Sequence, residues 1–262
     1  MGALLELACV ALLASWHNYP ADTGHTMRTM LRDNISSTLQ SVMSFIQTLT
    51  TSLGHTYSAN SHPILQCYGE VSSRCDVIKT MPRSNKHVCV EKLSQNHGLL
   101  KDALSELEEV NSEDFGLDLD EEAEQYTERD SQILNPSKGL IKTTIVLTKK
   151  TMDTIKKSGV DDSSGMLLEY DRVVEIMSRM SSAVDDLALT LYPPVDWAEC
   201  KHMNESLKEY LQQCLEDLSS LHFMKSEESV KWRDFISKAI VHNFAEVQRV
   251  LITNGMAEIK IA

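Results

Sequence analysis

The chain is poor in the residues that interrupt helices and in those that favour sheets. Its 262 residues include 10 glycines and 6 prolines, and only 6% of them are aromatic. Scarce chain-breaking residues, together with many unbranched apolar side chains such as Met and Leu, favour long helices over β-strands. Apolar residues make up 42% of the chain, which is ordinary for a globular protein. We therefore predict an all-α fold of one or two domains.

The sequence also lacks the motifs of catalytic and metal sites. It has no Gly-rich phosphate-binding loop, no nucleophile elbow and no HExxH motif. Cys67 and Cys75 lie eight residues apart and Cys200 lies two residues before His202, and neither spacing is that of a zinc site. The six cysteines form no CxxC pair, which suits free thiols in a reducing compartment. We predict a protein that is not an enzyme and uses no cofactor or metal.

Negative charge is concentrated in one segment. The net charge is −13, and residues 106–130 hold twelve acidic residues and one arginine, so this segment carries −11 and the rest of the chain only −2. No basic stripe offsets it, so direct binding to nucleic acid is not expected. Dense charge and few apolar residues indicate that residues 111–131 are a flexible acidic linker.

An apolar run near the N-terminus has two interpretations. Residues 3–14 are apolar except for Glu6, and no Lys or Arg precedes them, so the charge pattern of a secretory signal is missing. The run is also too short to span a bilayer. We interpret it as the end of a buried helix and expect no membrane association. A secreted helical bundle is the alternative.

Helical periodicity appears on both sides of the acidic segment. Apolar residues recur in steps of three and four over residues 24–53 and again in several stretches after residue 132. We predict an N-terminal helical bundle over residues 1–110, the linker over residues 111–131, and a C-terminal antiparallel four-helix bundle over residues 132–262. One of its helices carries an uninterrupted heptad series from Met166 to Leu191.

The heptad spacing of Met166–Leu191 and of Leu207–Leu221 has two explanations. A period of 3.5 residues is typical both of the core of a bundle and of a seam between two copies of a chain. A homodimer is therefore possible alongside an intramolecular core. No basic region precedes either series, so even a helix-loop-helix dimer would lack contacts to DNA.

The candidate partner-binding residues are Asp185, Asp186, Tyr192, Pro193 and Pro194, at the end of this heptad helix. Adjacent helical residues point about 100° apart, so the two carboxylates do not converge on one reacting atom. They are either a solvated face or a contact site for a partner. The Tyr-Pro-Pro segment either packs against the end of the bundle or forms an exposed extended ligand.

The stretch Val184–Pro194 resembles the "VDDLALSLYPP"-like stretch of the cyclin-D-binding protein family, also called GCIP or Maid. Residues 82–86, Pro-Arg-Ser-Asn-Lys, are similar to that family's "PRDNK" turn. The resemblance implies an all-helical protein with bundles like those of vinculin and α-catenin. It also implies binding to D-type cyclins, restraint of cyclin-D-dependent kinase signalling, helix-loop-helix transcription factors as partners, and a location in cytoplasm and nucleus.

Two further expectations follow from this resemblance. Family members begin with more helical sequence ahead of the point that matches Leu5, so we expect a shortened N-terminal bundle with exposed apolar faces. We also expect that this half is less stable than the other, or associates with itself. The vinculin-like bundles leave a cytoskeletal adaptor as the alternative function.

Overall fold

The fold is helical wherever it is described. The computed structural model describes residues 2–20, 24–53, 62–110, 126–158 and 164–259, and these ranges contain no β-strand. The predicted all-α fold is confirmed, whereas the vinculin-like pair of bundles stays a prediction. In these ranges the helices are α1 (Gly2–His17), α2 (His25–Leu53), α3 (His62–Thr80), α4 (Asn85–Val110), α5 (Glu128–Lys157), α6 (Ser164–Met177), α7 (Met180–Thr190), α8 (Trp197–Ser219), a 3-10 turn (His222–Met224) and α9 (Glu227–Ile259).

The described residues form two compact units. The first contains residues 2–20, 24–53, 62–89 and 164–171, and the second contains residues 90–110, 126–158 and 172–259. Residues 111–125, most of the predicted linker, lie outside the described residues. Residues 128–131, which the sequence analysis also included in the linker, form the first turn of α5. The predicted domain boundaries stay a prediction.

In the first unit, α2 is the central helix and has α1 and α3 as neighbours. Its predicted apolar stripe is buried at Met27, Ile35 and Val42. Neither α1 nor α3 contains a buried residue, although both are rich in apolar side chains. Arg28 of α2 lies over the ring of Trp16 in α1, at 5.9 Å from its centroid. Within the described ranges these two outer helices are therefore covered on one side only.

Polar side chains fix the start of α2. The carboxylate of Asp171 accepts hydrogen bonds from the backbone N–H groups of His25 (2.6 Å) and Thr26 (2.8 Å), and the Asn85 amide oxygen accepts one from Met27 (3.0 Å). The first N–H groups of a helix have no partner within the helix, so these acceptors act as an N-terminal cap supplied from distant parts of the chain.

Asn85, the first residue of α4, makes further contacts within the first unit. Its amide nitrogen donates to the carbonyl of Leu167 and to Asp171, at 3.0 Å each, and the residue is 1% exposed. Gly24 packs directly against it with φ +96°, and a Cβ there would lie 2.3 Å from the Asn85 amide nitrogen. Glycine is the residue that adopts this backbone conformation without strain. The asparagine of the Pro-Arg-Ser-Asn-Lys turn thus links three segments of the first unit.

In the second unit, α5 packs closely against α9. Gly139 allows this approach, because a Cβ there would lie 2.6 Å from the side-chain oxygen of Asn243. The amide of Asn243 donates to the hydroxyl of Thr143 at 3.0 Å. At its N-terminus α5 begins with a capping box, in which Thr127 and Asp130 each accept from the other's backbone.

The heptad residues of both predicted seams lie in protein interior. From residue 173 onward their side chains are at most 3% exposed, so they are not available to a second copy of the chain. The buried heptad residues are Val173, Met177, Met180, Val184, Leu187, Leu191, Leu207, Leu211, Cys214, Leu218 and Leu221. The heptads therefore form core, and the alternative of a dimer seam along them is wrong.

The predicted uninterrupted helix from Met166 to Leu191 is wrong at one point. α6 ends at Met177 and α7 begins at Met180. Side chains from other helices bind the carbonyl groups at the break: Tyr210 donates to Ile176 at 2.7 Å, and Asn96 donates to Met177 at 2.9 Å. In a continuous helix these carbonyls would accept from the amides four residues later. The competing donors explain why the heptad pattern continues while the helix does not.

Candidate functional site

One side of α7 is exposed and carries two carboxylates and a leucine. Ser182, Asp185, Asp186 and Leu189 follow the spacing i, i+3, i+4 and i+7, which places them on one side of a helix. All four are exposed, and Leu189 is 69% exposed despite being apolar. We call these four residues the α7 face.

The opposite side of the same helix is core. Val184, Leu187 and Leu191 are 0% exposed, and Ala188 is 5% exposed. The segment that resembles the family stretch therefore has two separable parts. Its buried residues hold α7 in the second unit, while its exposed residues remain available to a partner.

The neighbourhood of the α7 face is acidic. Partial burial raises the pKa of Asp185, and the nearby carboxylates of Asp186 and Glu106 raise it further. Burial also raises the pKa of Tyr192, again with a contribution from Glu106. Glu106 of α4 therefore lies close to two of the predicted site residues, and the three carboxylates together favour a positively charged partner.

The two aspartates have different surroundings, as expected for adjacent helical residues. Asp185 lies near Glu106, whereas Asp186 borders a cavity of about 100 Å³ between α7 and α8. Arg179 and Tyr210 also line this cavity, with the guanidinium 5.7 Å from the centroid of the tyrosine ring. No shared reaction centre exists between the two carboxylates.

The Tyr-Pro-Pro segment forms the turn between α7 and α8. Tyr192 and Pro193 are half-buried, Pro194 is exposed, and the Pro193–Pro194 peptide bond is cis. Asp196 then caps α8 by accepting from the backbone N–H groups of residues 198 and 199, at 3.0 Å each. The segment is thus a turn anchored by its first residues, with Pro194 as its accessible point.

Aromatic residues gather beside this turn. Burial raises the pKa of Tyr126, and the next contributions come from Tyr192 and Asp130, so the two tyrosines lie near each other. The Trp197 indole N–H donates to Asp130 at 3.0 Å, and the guanidinium of Arg129 lies 4.4 Å from the centroid of a Trp197 ring. This cation–π pair and hydrogen bond fix the start of α5 to the start of α8.

Among the residues that the structure describes, no group of three or more His, Cys, Asp and Glu side chains is placed to hold a metal ion. In the same ranges no helix combines the length and the apolar character needed to cross a membrane.

Two family models match this chain. One, described as Grap2 and cyclin-D-interacting, N-terminal, matches residues 1–113, and the other, described as Grap2 and cyclin-D-interacting, C-terminal, matches residues 108–216. The chain belongs to this family. The α7 face and the Tyr-Pro-Pro turn both lie in the part matched by the C-terminal model, and the resemblance found in the sequence analysis is confirmed.

Several known proteins are similar to this chain over most of its length, at low identity. The Cyclin-D1-binding protein 1 homolog of Danio rerio is 26% identical over 96% of this chain and 76% of its own length. The corresponding homolog of Xenopus laevis is 25% identical over 93% of this chain and 76% of its own length. Cyclin-D1-binding protein 1 of Homo sapiens is 25% identical over 91% of this chain and 71% of its own length.

Sequence reasoning missed several residues around the site. Leu189 lies in the stretch Val184–Pro194 that resembles the family. A helical wheel of α7 places Leu189 on a different side from the buried Leu187, and this signal could have identified it as exposed. Glu106 and Tyr126 gave no such signal, because they lie far from α7 in sequence and reach its surroundings only through the fold. For the five predicted residues, partner contact stays a prediction.

Proposed function

We propose that this protein binds a D-type cyclin through the α7 face and thereby restrains cyclin-D-dependent kinase signalling, without catalysing a reaction. Membership in the Grap2 and cyclin-D-interacting family and the names of the relatives support this proposal. The observation that carries it is the division of α7 into two sides. Its outer side exposes Leu189 one turn after Asp185 and Asp186, whereas its inner side is core.

The chemistry of the face specifies what it would recognise. Leu189 suits an apolar depression on the cyclin, as in helix-in-groove recognition. Asp185, Asp186 and Glu106 suit lysine or arginine side chains around that depression, and such charges mainly increase the association rate and the specificity. Each exposed ion pair contributes little alone, so the leucine is expected to supply most of the affinity.

The finer parts of the proposal rest on the family resemblance. The proposal includes helix-loop-helix transcription factors as further partners, and action in both cytoplasm and nucleus. It includes no direct binding to nucleic acid or to a membrane. A cytoskeletal adaptor was the alternative, but it rests on bundle architecture alone, and architecture by itself does not imply function. Co-sedimentation with actin would be the observation that favours the adaptor.

Calorimetric titration of the full chain with a purified D-type cyclin tests the proposal. Leu189→Asp is expected to weaken binding at least tenfold, because it puts a charge where the apolar contact forms. Leu168→Asp is a matched control, since Leu168 is also 69% exposed but lies on α6. The double variant Asp185→Lys, Asp186→Lys should reduce the association rate and its dependence on salt.

The possible outcomes test the proposed cyclin binding and the proposed binding site separately. A full chain that is folded by circular dichroism but binds no D-type cyclin would refute the proposed function. Binding that Leu189→Asp and Leu168→Asp leave equally unchanged would refute the site and keep the function.

A further inference from the structure

Positive charge gathers in the groove between α4 and α5 of the second unit. Around His97 of α4 lie Lys101 of the same helix and Lys149, Asp153 and Lys156 of α5. Burial lowers the pKa of His97 and the three lysines lower it further, whereas Asp153 opposes them. The three lysines are also exposed. Among the described residues, positive charge therefore exceeds negative charge at this point of the groove, which suits an acidic occupant.

The two helices run antiparallel along this groove. Glu108 of α4 and Lys142 of α5 form an ion pair of 2.9 Å, whereas His97, earlier in α4, has its neighbours later in α5. The residue numbers of the ion pair, 108 and 142, add up to 250, as do those of His97 and Asp153. Residue n of α4 therefore lies beside about residue 250 − n of α5. By this register Lys101 lies across the groove from Lys149.

An acidic segment of the chain connects these two helices. α4 ends at Val110, and the described chain resumes at Tyr126, just before α5. Residues 111–125 lie outside the described residues, and their sequence contains no Lys or Arg but seven acidic residues: Glu113, Asp114, Asp118, Asp120, Glu121, Glu122 and Glu124. Charge complementarity favours this segment as the occupant of the groove. Its attachment to both helices also gives it a high effective concentration there.

The length of the segment decides how far along the groove it reaches. By the register, Val110 lies beside about residue 140 of α5, so Lys149 is about 13 Å away in one direction and the start of α5 about 18 Å away in the other. A path from Val110 to the level of Lys149 and back to Tyr126 is therefore about 45 Å long. The 16 residues from 111 to 126 span about 55 Å when extended, which is enough. The corresponding path to Lys156 is about 66 Å, which is too long.

We propose that the acidic segment 111–125 docks in the α4–α5 groove of its own chain, with Asp114 beside Lys101 and Lys149. Asp114 follows Val110 by about 14 Å of extended chain, which matches the distance to that level of the groove. Glu113 and Asp118 come within side-chain reach of the same lysines. The four acidic residues from 120 to 124 are too close in sequence to Tyr126 to pass the level of Lys142. The proposal does not depend on cyclin binding.

Zero-length cross-linking of the full chain with a carbodiimide, read by mass spectrometry, tests the contact. The reagent joins a carboxylate to a lysine amine only where the two side chains touch. We expect cross-links within one chain from Glu113, Asp114 or Asp118 to Lys101 or Lys149, and none from these residues to Lys156. Lys201 is the matched control, because it is exposed on α8, outside the groove, and should form none of these cross-links.

The NMR titration of the His97 ring gives a second readout. The triple variant Glu113→Gln, Asp114→Asn, Asp118→Asn should lower the pKa of His97, because it removes negative charge from beside the groove lysines. The triple variant Asp120→Asn, Glu122→Gln, Glu124→Gln is the matched control, since it removes the same charge from the part of the segment that does not reach His97. It should leave the pKa of His97 unchanged. High salt should reduce the difference between the first variant and the wild type.

Three results would overturn the proposal. The first is the absence of cross-links from Glu113, Asp114 and Asp118 to Lys101 and Lys149, or an equal yield to Lys201. The second is cross-links that join only two different chains, which mixing isotopically labelled and unlabelled protein would reveal. The third is a pKa of His97 that is the same in the wild type and in the first triple variant.

Discussion

Replacing Asn85 by aspartate should destabilise the first unit in a way that depends on pH. The change keeps the size of the side chain and an acceptor for the Met27 amide, at 3.0 Å. It removes the donor that binds the Leu167 carbonyl and the Asp171 carboxylate at 3.0 Å each. It also places a second carboxylate against Asp171 in a position that is 1% exposed.

The size of the effect follows from these contacts. Losing two hydrogen bonds costs about 1 kcal/mol each. Repulsion between the two carboxylates has an upper limit, because the pair can instead bind one proton. Protonating a carboxylate at pH 7, some three units above its ordinary pKa, costs about 4 kcal/mol. Asp171 is only half-buried, so water reduces the repulsion below that limit. We expect the Asn85→Asp variant to lose about 3–5 kcal/mol of unfolding free energy at pH 7.

The sign of the pH dependence distinguishes variant from wild type. In the wild type, burial alone would raise the pKa of Asp171, but hydrogen bonds from Thr26, Asn85 and His25 outweigh it and lower the pKa. The wild type thus keeps this contribution above pH 4 and loses it as the pH falls through the folded-state pKa. In the folded variant the repulsion raises the pKa of the carboxylate pair, so the pair takes up a proton at a higher pH than in the unfolded chain. The variant should therefore regain up to ~1.4 kcal/mol of unfolding free energy per pH unit on acidification from pH 7 towards pH 5.

Urea denaturation followed by circular dichroism, with amide exchange at residues 25–27, measures both quantities. Gln40→Glu is the control, because it adds the same charge at an exposed position of α2 and should stay within ~0.5 kcal/mol of wild type. If Asn85→Asp loses less than ~1 kcal/mol at pH 7, or does not recover on acidification, the two side chains do not face each other and the argument is refuted.

Three matched pairs of substitutions test local parts of the fold. Gly24→Ala should destabilise the chain by about 1–3 kcal/mol because of its positive φ and the clash at 2.3 Å, whereas Gly98→Ala, in open space within α4, should stabilise it by ~0.5–1 kcal/mol. Leu187→Ala should lower the unfolding free energy by about 2–5 kcal/mol, because Leu187 is 0% exposed. Leu189→Ala should change it by no more than ~0.5 kcal/mol, because Leu189 is 69% exposed. Tyr210→Phe should cost ~0.5–1.5 kcal/mol by removing the donor at the end of α6.

Equilibrium denaturation measures all three pairs, and each pair has a result that would contradict the prediction. Equal effects at the two glycines would mean that position 24 does not require positive φ. Equal effects at the two leucines would mean that α7 has no distinct exposed side. For the tyrosines, Tyr68→Phe is the control, because Tyr68 is 60% exposed and should show no change. A loss at Tyr210→Phe no larger than at Tyr68→Phe would mean that the Tyr210 hydroxyl does not stabilise the end of α6.

Local patterns predicted the helices, and long-range contacts decided where they are interrupted. The apolar steps of residues 24–53 predicted α2 nearly to its ends, since a stripe packed on one side leaves its period in the sequence. The break after Met177 depends on Tyr210 and Asn96, which no window around residue 177 contains. The period of the heptads could not reveal it, because core spacing continues across the break.

The site was predictable only in part for the same reason. Asp185 and Asp186 stood out as a charged pair in an apolar stretch, and the structure places both on the exposed side of α7. That Asp185 lies near Glu106 follows from how α4 packs, about 80 residues earlier in the chain. The cap made by Asp171 on α2 spans a longer separation, 146 residues to His25 and 145 to Thr26. In the sequence alone, an aspartate in the middle of a helix normally indicates only that its side chain is exposed to solvent.

The free thiols give the protein built-in reporters of partial opening. Burial raises the pKa of Cys89 in the first unit and that of Cys214 in the second to about 12, and Cys200 is also buried, whereas Cys75 is exposed on α3. Alkylating reagents attack the thiolate, so the buried cysteines can react only when their surroundings open. Labelling rates under native conditions, read by mass spectrometry with Cys75 as the reference for full access, would therefore give the opening free energy of each unit without engineered probes.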